Sequence, residues 1–220
     1  IYDPDSGVRE AMRIAETATR PVVIADTQDN PGAGGDSNTA GMLKALVENR
    51  AEGAALGLMV DPMAAEITHR AGVGAEVNLT FGGHSGVEGD EPFEALYTVE
   101  QLHDGRFDAT GPFYKGAEFN LGPCARVRIG GTRVVLACNK VQMADQAMYR
   151  FVGIEPTEAK ILVNKSSVHF RADFAPIAEE ILVCAAPGPM IADPADLPWR
   201  RLRPGIRLNP LGPVWSGSAS

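Results

Sequence analysis

Short runs of uninterrupted apolar residues, separated by segments with helical spacing, constrain the fold most. Residues 22–25 and 54–60 contain no alternating polar positions. The apolar stripe of a helix lies between them, at Met42, Leu43, Leu46 and Val47. A strand without a polar face must be covered on both sides, which is the arrangement of parallel sheets in α/β proteins. The sequence therefore predicts a mainly parallel sheet flanked by helices, with strands near 21–26, 54–60, 160–164 and 181–185.

The middle of the chain has a different pattern. Between residues 75 and 140, apolar and polar residues alternate, and Gly130-Gly131 predicts a hairpin turn. This pattern favours an antiparallel β section appended to the α/β sheet. The predicted organisation is an α/β core at 1–74 and 141–190, the antiparallel section or insertion at 75–140, and an extended tail at 191–220. The tail ends in the serine- and glycine-rich stretch 216–220.

Composition excludes several classes of protein. The 220 residues can bury a full core, and a net charge of −8 argues against a nucleic-acid partner. The longest apolar runs are too short to span a bilayer, and the chain opens without a signal-like segment, so we expect a cytoplasmic protein without membrane contact. The first residue is Ile1 rather than Met, which suggests a piece of a longer chain, although upstream processing would look the same.

The first candidate site is the glycine-rich loop at residues 26–39, between a predicted strand and a helix. Asp29 and Asn30 supply polar side chains at the end of the strand, and Gly32 lets the backbone approach a ligand closely. The loop matches neither GxxxxGK[ST] nor GxGxxG, so no nucleotide is implied. The alternative interpretation is a plain turn, with Ser37 or Thr39 capping the next helix.

The second candidate is the loop after the strand near 160–164. Lys165, Ser166 and Ser167 are suited to hold a carboxylate or phosphate, and His169 follows them. The alternative is a pair of N-cap serines beside a surface lysine. Each loop follows a buried strand and precedes a helix, so we expect both at the same sheet edge, lining one concave surface.

Metal ligands are not evident in the sequence. The four histidines never fall at HExxH or another ligand spacing, and His84 is interpreted as a loop residue rather than a ligand. Three widely spaced cysteines form neither a disulfide framework nor a zinc site, and we expect them to be packed thiols. No metal ligand is therefore assigned to this chain.

The two loops carry a resemblance to a known family. The segments VVIADTQDNPG (22–32) and KSSVHFRA (165–172) resemble hallmarks of the C-terminal domain of microcystinase C (MlrC)-like zinc metallopeptidases. The segments APIA (175–178), APG (186–188) and LPWRR (197–201) follow in that family's order. The resemblance implies a peptide hydrolase whose zinc ligands belong to an N-terminal domain, here a partner outside this sequence. This chain would then close over the peptide substrate, with His169 as an oxyanion or leaving-group partner.

Two other functions are open at this point. The same loops would suit a stand-alone module that binds a small anion without catalysis, or the chain could serve a structural or homo-oligomeric role. A precursor with histidines and acidic residues upstream of Ile1 would favour the peptidase. A complete reading frame that starts near Ile1 would favour the binding module.

The resemblance leads to a prediction about the isolated 220 residues. They should neither bind zinc tightly nor hydrolyse peptides, because no three-ligand or tetrahedral set is visible in the sequence. Metal analysis of the purified chain after incubation with zinc tests this. Stoichiometric zinc bound by histidine or cysteine side chains would contradict it.

Overall fold

An eight-stranded sheet organises the computed structural model, which describes residues 1–215. The strands run in chain order as Val22–Asp26 (β1), Ala54–Val60 (β2), Glu76–Phe81 (β3), Phe93–His103 (β4), Arg106–Asp108 (β5), Glu118–Asn120 (β6), Cys124–Ile129 (β7), Thr132–Ala137 (β8), Ile161–Asn164 (β9) and Glu180–Cys184 (β10). The α-helices are Pro4–Ala15 (α1), Gly41–Glu48 (α2), Pro62–Ala71 (α3), Ala147–Arg150 (α4) and Arg171–Phe174 (α5).

The strand order is β10-β1-β9-β2-β8-β7-β4-β3. The first five strands are parallel to one another, and β7, β4 and β3 continue the sheet in antiparallel pairs. Strands β5 and β6 form a separate two-stranded sheet. The predicted α/β class is confirmed, and the four predicted parallel strands agree with the observed ones to within one residue. The hairpin at Gly130-Gly131 is also confirmed, since it joins β7 to β8.

Both faces of the parallel strands are covered, as their uninterrupted apolar sequences require. On one face, Val22 and Ile24 pack in a core with residues of α1, α2 and α3. On the other face, Val23 and Ala25 join a second core that contains Tyr149 of α4 and its neighbours. Alternate residues of β1 thus enter opposite cores, because successive side chains of a strand point to opposite faces.

The connections that follow β1 and β9 run in opposite directions, on opposite faces of the sheet. Strand β1 leads through α2 to β2, on the far side of β9, while β9 leads through α5 to β10, on the far side of β1. Helix α2 contributes to the first core and α5 to the second, so the two connections leave on opposite faces of the sheet. When the connections of two neighbouring parallel strands leave on opposite faces of the sheet, a crevice forms at the carboxyl ends of these strands. Open α/β sheets bind ligands in such a crevice.

Side-chain caps mark the start of two of the helices. Asp3 is the N-cap of α1, and its side chain accepts a hydrogen bond from the Ser6 N–H at 3.0 Å. Asp61 is the N-cap of α3, with its side chain accepting from the Ala64 N–H and Pro62 as the first helical residue. Local capping chemistry thus fixes where both helices begin.

The chain divides into two units, Ile1–Met190 and a short one that begins at Ile191. The second unit includes a 3₁₀ turn at Pro194–Asp196 and a bridge between Arg207 and Val214. Residues 216–220, predicted as the serine- and glycine-rich end of the tail, lie outside the described residues. Within residues 1–215, no helix is long and apolar enough to cross a bilayer.

Candidate functional site

The Lys165 ammonium lies at the centre of the candidate site, and it is inside the protein. It immediately follows β9, and its side chain is fully buried. The ammonium donates to Asp26 Oδ2 at 2.8 Å, to Asp29 Oδ2 at 2.9 Å and to the Thr39 carbonyl at 2.9 Å. An ammonium has three donors, and all three are used here. The alternative interpretation of Lys165 as a surface lysine is therefore wrong, because its charge is neutralised within the fold.

Asp29 connects this ammonium to the backbone of the first loop. Its Oδ1 accepts from the Ser37 N–H at 2.8 Å, and its Oδ2 accepts from the Thr39 N–H at 2.9 Å and the Thr39 hydroxyl at 3.0 Å. The Ser37 hydroxyl donates to the Leu58 carbonyl at 2.9 Å. The alternative interpretation of Ser37 or Thr39 as a helix cap is wrong, because the N-cap of α2 is Ala40 and has no side-chain hydrogen bond.

The protein environment shifts the pKa values of the three charged groups in this cluster. Burial raises the pKa of Asp26, and the nearby Lys165 ammonium offsets this only in part. Burial acts in the same direction on Asp29, but Lys165 and the loop N–H groups outweigh it and lower the pKa of that carboxyl. Burial opposes the charge on Lys165, yet the two carboxylates raise its pKa overall. The pKa values of the two carboxyl groups are thus shifted in opposite directions, and Asp26 is the one that protonates more readily.

The two predicted loops meet at this edge of the sheet. The Asn30 amide donates to the Ser167 hydroxyl at 2.9 Å, and that hydroxyl donates to the Thr27 carbonyl at 3.0 Å. The Asn30 side-chain oxygen accepts from the Gly32 N–H at 2.9 Å, which begins a short 3₁₀ turn. The predicted meeting of the loops is confirmed by these contacts. The role of their residues toward a substrate stays a prediction.

Gln142 links the loops from a third segment and was not found by sequence reasoning. Its amide donates to the Ser166 hydroxyl at 2.7 Å, and its amide nitrogen and oxygen lie 3.1 and 3.2 Å from His169 Nδ1. A Cβ on Gly32 would lie 2.1 Å from the Gln142 side-chain oxygen, so a larger residue at this position would displace the end of the Gln142 side chain. Gln142 lies in an irregular stretch after β8, where neither spacing nor motif distinguishes it.

The exposed part of the site is small and partly aromatic. The exposed His169 ring stacks on Phe113, with centroids 4.2 Å apart and an interplanar angle of 14°. Val168 is also exposed, and Ser167 is half-buried. The expected N-cap role of Ser166 and Ser167 is wrong, because α5 begins only at Arg171 and has no side-chain cap. Of the predicted site residues, Gly32 and His169 are exposed and Ser167 is half-buried, whereas Asp29, Asn30, Lys165 and Ser166 are buried.

A cavity of about 500 Å³ lies beside these loops rather than between them. Asn38 of the first loop lines it, as does His84, and the Ser85 hydroxyl donates to the Asn38 side-chain oxygen at 2.5 Å. Its other lining residues come from the end of β2, from Asp61 and the first turns of α3, and from β3. The expectation that the two loops enclose the concave surface is therefore corrected, since the concavity is shared between the first loop, α3 and β3.

The metal-binding side chains of the described residues do not form a set that fits zinc. Within residues 1–215, no three His, Cys, Asp or Glu side chains are grouped so that they could hold a metal ion. The two carboxylates nearest to each other in the candidate site, Asp26 and Asp29, already bind an ammonium. The three described cysteines are free thiols, and burial raises the pKa of Cys124 and of Cys184 to about 12.

Comparison with known proteins identifies the class. The model of the family "MlrC C-terminus" matches residues 24–201, and the chain therefore belongs to this family. It is 24% identical over 184 residues to microcystinase C from Sphingomonas sp.. Its fold is similar to the crystal structure of a protein named "Putative metallopeptidase" from Mesorhizobium sp. BNC1, with a TM-score of 0.78 and 25% identity over 90% of this chain.

The relatives are much longer than this chain. The alignments cover 83% of the chain but only 36% of the Sphingomonas protein, and 40% of the chain in the Mesorhizobium structure. The chain thus spans less than half the length of each of these two relatives.

Removal of the buried ammonium should destabilise the fold of the chain. Lys165→Met would leave Asp26 and Asp29 buried without a counter-charge, and we expect the free energy of unfolding to fall by about 3–5 kcal/mol. The matched control is Lys140→Met, which removes an exposed ion pair with Asp36 and should cost about 0–1 kcal/mol. Urea unfolding of both variants measures the difference, and equal small effects would mean that the buried cluster does not stabilise the fold.

Proposed function

We propose that this chain is the C-terminal, substrate-closing domain of an MlrC-like zinc metallopeptidase, a peptide hydrolase whose zinc ligands lie in an N-terminal domain. Membership of the MlrC C-terminal family and the similarity to microcystinase C support the reaction class. Because the described residues do not fit a metal site, the zinc chemistry is assigned to the other domain.

The observation that carries the proposal is the meeting of the β1 and β9 loops where their connections diverge. The Asn30–Ser167 hydrogen bond joins the loops. The buried contacts of Lys165 with Asp26 and Asp29 fix the positions of both loops from inside the protein. An edge built in this way presents a preorganised polar surface, since its supporting charges are already satisfied internally. A second domain or a peptide can bind against it without reorganising the sheet.

Each predicted site residue receives a role from its position. Asp29 and Lys165 support the loops, whereas Gly32 and Ser167 are placed to contact peptide backbone, and Asn30 and Ser166 position them. His169 Nδ1 faces Gln142, which leaves Nε2 to act as an oxyanion or leaving-group partner. Gln142 is then a positioning residue that acts through the His169 ring.

The alternative of a small-anion-binding module is supported less well. Such a module needs a cation that a ligand can reach, and the ammonium of the second loop is buried between two carboxylates. The groups around it that solvent reaches, the exposed His169 stacked on Phe113 and the half-buried Ser167, resemble a docking surface more than an anion cradle.

The proposal predicts that His169 contributes to hydrolysis and not to folding. His169→Ala in the complete protein should lower kcat/KM for peptide hydrolysis by about 10²-fold, because a positioned acid–base group contributes at least that much. The melting temperature should stay near that of the unmodified protein, because the side chain is exposed. Lys44→Ala, an exposed change on α2, is the control. Full activity of the His169 variant would remove this residue from the site.

A further inference from the structure

Strand β3 ends the sheet and has an open edge. It pairs with β4 on one side, and among residues 1–215 no strand pairs with its other side. The Val99 N–H donates to the Ala75 carbonyl, so in this antiparallel register Val77 and Leu79 also face their β4 partners. The N–H and C=O groups of the alternate residues, Asn78 and Thr80, therefore point away from β4, toward the open edge.

The cavity of about 500 Å³ runs along this edge. It contacts Asn78, Leu79 and Thr80, and two of these residues, Asn78 and Thr80, are the ones whose N–H and C=O groups point toward the open edge. The facing wall is apolar and belongs to the first turns of α3, at Pro62, Met63, Ala64 and Ile67. Met63 is 72% exposed, which leaves apolar surface open to a ligand. We name this feature the β3–α3 groove.

Acidic side chains lie on and beside the groove. Between Arg70 and Arg106 the sequence has neither lysine nor arginine, yet it has seven acidic residues, of which, within residues 1–215, only Glu100 is paired with arginines, those of β7 and β8. Asp61 lines the groove itself, together with His84. Glu94 lies directly opposite Thr80 in the β3–β4 pair, and both Glu76 and Glu94 are exposed. A positively charged ligand is therefore attracted to this edge.

The same charges decide between two possible occupants. An open strand edge can pair with a second copy of the chain, and natural proteins often prevent this with lysine or proline on the edge. Here a second copy would bring two acidic edges together, which is electrostatically unfavourable. A basic peptide meets the edge with complementary charge.

We infer that the β3–α3 groove binds an extended, positively charged peptide segment, which pairs with Asn78 and Thr80 as an added strand. Main-chain hydrogen bonds supply affinity in this mode, and alternate side chains enter the pockets beside the strand. One set of side chains would contact Met63 and Ile67, and a cationic group would lie near Asp61. The inference extends the proposed function. It rests on that function in one respect, since the peptide is taken to be a segment of the substrate.

Binding to the 220-residue chain tests the inference without any hydrolysis. The probe is a fluorescent peptide of about eight residues that alternates lysine with valine, followed by anisotropy. One control peptide carries N-methyl groups on alternate amides, which keeps its charge and side chains but removes the edge hydrogen bonds. A second control has glutamate in place of lysine. We expect each control to bind at least tenfold more weakly than the probe.

A matched pair of variants tests the edge from the protein side. Asn78→Pro removes an N–H that β4 does not use, at an edge position where proline is tolerated, whereas Asn78→Ser keeps it. The proline variant should lose at least tenfold in affinity and the serine variant should not. Asp61→Asn should weaken the basic probe only, and urea unfolding checks that each variant folds.

Three results would overturn the inference. Equal binding of the N-methylated peptide would mean attraction by charge alone. Undiminished binding to a folded Asn78→Pro variant would place the peptide elsewhere. A dimer that Asn78→Pro converts to monomer, with no peptide binding, would assign the edge to a second copy. Loss of the proposed function would appear differently, as unchanged hydrolysis by the His169 variant while this chain still binds the probe.

Discussion

The site depends on one buried interaction, the contact of the Lys165 ammonium with Asp26 and Asp29. An ion pair removed from water loses several kcal/mol of solvation per charge, which is recovered only when geometry and hydrogen bonding are nearly complete. Here the ammonium fills all three of its donors, and Asp29 accepts four hydrogen bonds. Because the partners come from the end of β1, the following loop and the end of β9, the cluster sets the relative position of both loops.

This arrangement separates the buried groups that support the site from the groups that a ligand could contact. The charges are inside, while Gly32, Ser167 and His169 face outward along the edge where the β1 and β9 connections diverge. The first loop also borders the β3–α3 groove through Asn38. A peptide held in that groove would therefore lie next to the loop that the buried cluster fixes. The sheet thus has two neighbouring surfaces, of which we propose that the first faces the other domain and that the second binds an extended segment.

The sequence predicted the sheet well because continuous apolar strands leave few alternatives. It also predicted that the two loops meet, since topology alone places the ends of parallel strands at one edge. Burial of Lys165 could not be predicted, because a lysine after a strand is exposed in most contexts and its two carboxylate partners are more than 130 residues away. Gln142 was missed for the same reason, as its partners are distant in sequence. The open edge of β3 required the strand order.

A double-mutant cycle on Lys165 and Asp29 tests the central role of the buried cluster most directly. The free energy of unfolding is measured for the unmodified chain, Lys165→Met, Asp29→Asn and the double variant. If the two charges stabilise each other inside the fold, the effects of the single variants should not add, and the coupling energy should exceed about 2 kcal/mol. Additivity to within about 0.5 kcal/mol would contradict the view that this ion pair holds the two loops together.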